Sequence, residues 1–98
     1  MARVVVAPAA NADLDELIGA LSLPPNTRSR VKARLQQLAD FPEGGQELKG
    51  RWQSFRFILG PWRWMLIVYV FEKEVDQVSV VTIQDSRSAR SATSQRGL

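Results

Sequence analysis

Hydrophobic positions change period part-way along the chain, and that change divides it into a helical half and a strand half. Val4, Val5 and Val6 form a short β-branched run that Pro8 closes, which predicts a first strand. Leu14, Leu17, Ile18 and Leu21 follow at i, i+3, i+4 and i+7, the stripe of a helix, with Asn11 placed to cap it. Pro24 and Pro25 end that helix, because proline lacks the N–H and crowds the preceding turn. Val31, Leu35 and Leu38 mark a second helix, capped by Asn26 or Thr27 and stopped before Pro42. Two helices joined through so short a turn predict a helical hairpin.

After the loop PEGGQELKG the period becomes two. Phe55, Phe57 and Leu59 alternate with Ser54, Arg56 and Ile58, and after Gly60-Pro61 a run from Trp62 to Phe71 alternates again. That predicts a β-hairpin turning on Gly60-Pro61. A two-residue turn would set Leu59 opposite Trp62 and Phe57 opposite Trp64. One face, with Phe55, Phe57, Leu59, Trp62, Trp64 and Leu66, would then lie under the helices. The other would carry Arg56, Ile58, Arg63 and Met65, with the two arginines diagonal to one another. A turn over Glu72–Asp76 leads to a last strand, Gln77–Ile83, with Val78 and Val80 on one face and Val81 and Ile83 on the other. From Ser86 the chain is rich in Ser, Arg and Ala, and about residues 88–98 are expected to form a flexible tail. The fold class is therefore α+β: an N-terminal strand, a helical hairpin, then a three-strand antiparallel meander with the helices packed on one sheet face.

Ninety-eight residues suffice for one domain, spanning 1–98. The absence of Cys and His removes disulfides, thiol nucleophiles, imidazole chemistry and the usual zinc sites. No cofactor or metal is expected. The apolar run at the N-terminus is too short for a signal peptide core, and Trp62–Phe71 is far below the roughly 20 residues that span a bilayer, so a cytoplasmic protein without membrane attachment is expected. Thirteen Lys and Arg against ten Asp and Glu leave a charge of +3, unevenly placed. Acids open the chain at Asp13, Asp15 and Glu16. Bases fill the middle at Arg28, Arg30, Lys32, Arg34, Lys49, Arg51, Arg56 and Arg63, and return at Arg87, Arg90 and Arg96. Such segregation suits a polyanion or an acidic protein partner. The plainer reading is that strand arginines keep an exposed face soluble or pair with Asp85. Trp52 is either a core residue or an apolar anchor for a partner, and core burial is the simpler role.

The segments FRFILGPWRWMLIVYVF and VSVVTIQDSRSA, with the helical hairpin and the loop ending Leu48-Lys49-Gly50, resemble the RelE/ParE superfamily of toxins over nearly the whole chain. No single motif carries the likeness; order and spacing do. The resemblance implies the toxin of a type II toxin–antitoxin system, held inactive by a cognate antitoxin in a hetero-oligomer. Its RelE branch cleaves mRNA on the ribosome without metal, the 2′-hydroxyl attacking the adjacent phosphate. By position, Arg56, Arg63 and Arg87 resemble the basic catalytic residues, and Lys49, Arg51 and Arg90 would bind RNA. Two departures stand out. Ile58 replaces a second strand base, and no Tyr or His lies near the C-terminus; Tyr69, the sole tyrosine, is read as a packing residue. A general base would have to be Lys49 or Asp85 with a shifted pKa. These gaps leave two alternatives: a ParE-like inhibitor of DNA gyrase with no chemistry of its own, and a non-toxic member that binds an antitoxin.

Overall fold

The computed structural model describes residues 1–88 and 91–93. Strand β1 (Arg3–Val6) is followed by helices α1 (Pro8–Ala20) and α2 (Thr27–Asp40). A two-residue strand β2 (Gln46–Glu47), β3 (Arg56–Leu59), β4 (Met65–Glu72) and β5 (Gln77–Asp85) complete one sheet in the order β1-β5-β4-β3-β2. β1 lies parallel to β5, with Val4 opposite Val78 and Val6 opposite Val80; the other pairings are antiparallel. No helix among the described residues is long and apolar enough to cross a membrane.

Helix α1 starts three residues before the predicted Asn11 cap, with Pro8 in its first turn. Proline is pre-set for that position, where a missing N–H costs nothing, so no side-chain cap is needed. Thr27 opens α2 and its hydroxyl donates to the Pro24 carbonyl at 2.7 Å. The predicted stripe of Val31, Leu35 and Leu38 is buried, together with Ala10 and Leu14 of α1.

The helices pack on the opposite sheet face from the one expected. The main core joins them to Met65, Ile67, Tyr69, Val78, Val80 and Ile83, with Ile58 at its margin. Phe57, Leu66 and Val68 face the other way and pack against Leu48, Trp52, Phe55 and Ala92. Both faces of β4 are thus covered, and Met65 through Tyr69 are buried without a break. When every residue of a strand is apolar and buried, alternation separates the two faces but does not say which one takes the helices.

The last strand departs from alternation as well. Val68 pairs with Thr82 but Tyr69 pairs with Val80, so Val81 is an extra residue, a β-bulge. The bulge puts Val80 and Ile83 on the same face and leaves Val81 in the second core. Asp13 of α1 covers the irregularity, accepting hydrogen bonds from the Thr82 hydroxyl at 2.5 Å and the Ile83 N–H at 3.3 Å. Of the expected tail, Ser91 and Ala92 are buried, and the Ala92 N–H donates to the Gln84 side chain at 2.8 Å.

Tyr69 ties the loop before β2 to the core. Its hydroxyl is fully buried and accepts the Gly45 N–H at 2.9 Å. A Cβ on Gly45 would lie 2.5 Å from that hydroxyl, so only glycine fits. Burial, partly offset by the Gly45 bond and by Arg56, raises the phenol above its ordinary pKa, which suits a packing residue. Tyr69→Phe strands the Gly45 N–H, and urea unfolding should show a loss of about 1–3 kcal/mol. An unchanged midpoint would mean that the loop finds another acceptor.

Candidate nucleic-acid interface

The connection between β3 and β4 builds the most distinctive surface. Leu59 pairs with Leu66, not Trp62, so Gly60 through Trp64 form a five-residue loop. A type I′ hairpin turn needs positive φ at both central residues, which Pro61 cannot adopt. The loop closes through the Gly60 N–H to the Met65 carbonyl at 2.9 Å and the Met65 N–H to the Trp62 carbonyl at 3.0 Å. At Gly60 a Cβ would meet Met65 Sδ at 2.6 Å. The Ser86 N–H donates to the Trp64 carbonyl at 2.7 Å and binds this loop to the end of β5.

Freed from the sheet, the two tryptophans stack, with ring centroids 5.9 Å apart and planes 13° from parallel. Arg30 of α2 lies over Trp62 and Arg87 over Trp64, each with its guanidinium carbon 4.9 Å from the ring centroid. The result is a four-membered ladder, Arg30–Trp62–Trp64–Arg87, running from α2 across the loop to the residue beyond β5. Cation–π contacts contribute about 0.5–1 kcal/mol each at exposed sites. Arg34 adds a second tie, donating through Nε to the Leu59 carbonyl at 2.9 Å.

Arg87 is held on two sides. Its Nε and Nη2 donate to the two Asp85 carboxylate oxygens at 2.9 and 2.7 Å, and its backbone N–H donates to Oδ1 at 2.9 Å. Asp85 takes one edge of the guanidinium fork and Trp64 one face. Among the described residues nothing bonds to the Nη1–Nη2 edge, and the side chain is 61% exposed. The Arg87 side-chain bonds hold the Asp85 carboxyl below the usual carboxylate range, and Arg87 is raised in turn.

The predicted site residues are not all brought together. Arg63 is exposed at the tip of the loop, at the same end of the sheet as Arg87. Arg56 sits at the other end of β3, three residues from Leu59 or about 10 Å along the strand. It is consumed by the loop before β3. Nη1 donates to the Gly45 and Glu43 carbonyls at 2.9 and 3.3 Å, and Nη2 pairs with Glu47 at 3.2 Å and Glu43 at 3.9 Å. The expected diagonal of Arg56 and Arg63 therefore does not form. Lys49 and Arg51 are exposed in the segment that folds under the second sheet face, where Leu48 and Trp52 pack. Arg90 lies outside the described residues. Arg30 and Arg34 join the loop without having been singled out. They were visible only as part of the basic outer surface of α2, which is also what a solvated helix face looks like. Among the described residues no cluster of three acidic side chains is placed to hold a metal.

No protein family model matches the chain, and no curated protein matches it in sequence. Solved structures do match in shape. The RelBE2 toxin–antitoxin complex of Mycobacterium tuberculosis aligns with a TM-score of 0.68 at 17% identity, covering 86% of this chain and 96% of that one. The intact RelBE complex of Escherichia coli gives 0.63 at 19% identity, over 90% and 100% of the two chains. A conserved hypothetical protein of Helicobacter pylori gives 0.57 at 18% identity, over 87% and 94%. The chain has the RelE-like toxin fold. On that fold the chain carries a pair of stacked indoles at the β3–β4 loop, each with an arginine over its ring.

The lowered pKa of Asp85 has a measurable consequence. Its ion pair stabilises the RelE-like fold fully above the ordinary Asp value, near 4, and this contribution disappears as pH falls through the lowered value. Wild-type protein should therefore lose stability more steeply than Asp85→Asn between about pH 4 and pH 2 in urea titrations. Parallel curves would show that the pair is equally formed in the unfolded chain.

Proposed function

We propose that this chain is the toxin of a type II toxin–antitoxin pair, an endoribonuclease that cleaves mRNA on the ribosome by attack of the 2′-hydroxyl. The observation that carries the reading is the open guanidinium edge of Arg87, fixed by Asp85 and Trp64 at the loop end of a RelE-like fold beside the exposed Arg63. In the reaction the 2′-oxygen bonds to phosphorus and the bond from phosphorus to the 5′-oxygen breaks. The products are a 2′,3′-cyclic phosphate and a 5′-hydroxyl, and the proton lost by the 2′-oxygen is balanced by one gained at the 5′-oxygen. Arg87 stabilises the charge that accumulates on the non-bridging oxygens, with Arg63 as a second cation. Asp85 is shifted down and bonded to Arg87, the opposite of what a base working near neutral pH requires. Proton transfer then falls to water or to ribosomal groups, which gives a chemical reason for dependence on the ribosome.

The test maps new 5′ ends by primer extension on ribosomes programmed with a defined mRNA. A cut within the A-site codon is expected. Arg87→Ala should slow it on the order of 10²-fold, while Arg56→Ala, which unpins the loop at Glu43–Glu47, should cost stability and leave the cut in place. No cut from protein that still arrests growth would overturn the reading. The second reading, gyrase inhibition by contact alone, draws on the withdrawal of Arg56 into ion pairs and on the absence of a shifted base beside Arg87. Inhibited supercoiling at saturating protein would select it.

Either reading needs an antitoxin. A groove of about 460 Å³ between β1 and α2 suits one. Ala2, Val4, Val6 and Val31 line it with Lys32 and with Arg28, which is paired with Asp15, and β1 borders it as an edge strand. An extended segment with apolar and acidic residues would add to that edge and bury its side chains in the groove. Val6→Asp should abolish rescue by the antitoxin while growth arrest persists; rescue at wild-type level would place the antitoxin elsewhere.

A further inference from the structure

We propose that the Arg30–Trp62–Trp64–Arg87 ladder is the start of a track for single-stranded RNA, on which a nucleobase lies against the open face of Arg87 as the next rung. The inference deepens the ribonuclease reading by stating how RNA is held. It begins from which flat surfaces are left uncovered. Trp62 stacks with Trp64 and has Arg30 over its ring; Trp64 has Arg87 over its ring. Both indoles are engaged by these contacts and half-buried against the main core, so they act as supports. The surface they support is the outer face of Arg87, 61% exposed, on a guanidinium whose rotation is blocked by Asp85.

Guanidinium planes accept unstacked bases, and a base exposes its face only when the strand is single. A base on that face leaves the free Nη1–Nη2 edge for the phosphate of the same or the next nucleotide, a bidentate arrangement that fits the fork. Arg63, between the two indoles in sequence and exposed at the loop tip, supplies charge for the neighbouring phosphate. Trp64 is then a positioning residue: it touches no RNA and acts by fixing the plane of Arg87. The same ladder explains why arginine is needed at position 87. Lysine would keep the charge but give no plane for the base and no fork for the phosphate.

The experiment measures binding without cleavage or ribosomes. The probe is a fluorescent, fully 2′-O-methylated RNA of about eight nucleotides, within the site sizes usual for single strands. Its anisotropy is titrated with wild-type protein at low salt, beside a duplex of the same sequence. Wild type should bind the single strand at least about tenfold more tightly than the duplex, with affinity falling as salt rises. Arg87→Lys should weaken binding about fivefold to tenfold at unchanged net charge. Trp64→Leu should weaken it about tenfold, and Trp64→Phe, which keeps an aromatic face, should return it to within about twofold of wild type. Lys73→Ala, in the turn at the far end of the sheet, should stay within about twofold. Thermal melts confirm that each variant is folded, and Arg87→Lys, altered on an exposed side chain, gives the result independently of any packing defect at Trp64.

Equal affinities for wild type, Arg87→Lys and Trp64→Leu would overturn the inference, as would equal affinity for the duplex. Wild-type protein that cuts mRNA on the ribosome yet binds no oligomer would remove the track and leave the ribonuclease. Protein that binds the oligomer through the ladder but cuts nothing would remove the ribonuclease and leave the track.

Discussion

Pro61 fixes its own φ near −65°, and the loop in which it stands joins several elements of this molecule. The type I′ turn, with positive φ at both central residues, is closed to it, and here β3 and β4 join through five residues with Leu59 opposite Leu66. Trp62 and Trp64 therefore lie in the loop, half-buried against the margin of the main core. Two indoles in a loop, each with a large apolar face, lower their exposed area by stacking, and Arg30 of α2 and Arg87 beyond β5 lie over their rings. The loop that looks like an interruption of the sheet is the part that joins α2, β4 and β5 into one surface.

Much of the fold was legible because it is written in periods. Leu14, Val31, Leu35 and Leu38 of the helix stripes are buried as their spacing required, while Leu21 falls beyond α1 and is exposed; β3 and β5 lie where the alternation placed them, but β4 begins at Met65 and not at Trp62. Even the wrong hairpin register kept the right partners on a face. Moving the partner of Leu59 from Trp62 to Leu66 is an even shift, so Phe57, Leu59 and Leu66 still share a side. Which side met the helices was not legible, since Ala92 and the loop through Leu48 and Trp52 supply a second apolar cover. Short-range pattern carries no trace of a cover that arrives from elsewhere in the chain. The bulge at Val81 was hidden for the same reason: the group that stabilises it is Asp13, about 70 residues away.

The candidate site was legible only in part, and the arginines show why. Arg56, Arg63 and Arg87 look alike in sequence, yet their fates are set by long-range partners. Arg56 lands beside Glu43, Glu47 and two loop carbonyls and is neutralised in place. Arg63 stays exposed. Arg87 meets Asp85, two residues before it, so the simpler expectation that an arginine pairs with Asp85 is met at the position that also looks most functional.

These two descriptions of Arg87 are compatible because a guanidinium has more than one binding surface. An ammonium group paired with a carboxylate has spent its directionality, whereas an arginine bound along its Nε–Nη2 edge presents a second edge of the same geometry and two faces. Asp85 reduces the local charge but also removes the rotational freedom that a free arginine would lose on binding. Trp64 does the same from the side of the ring. An exposed ion pair adds little to stability, so this one is better understood by what it orients than by what it stabilises. A residue type chosen for fork geometry, held by one edge and one face, is prepared for a planar anionic ligand on the others.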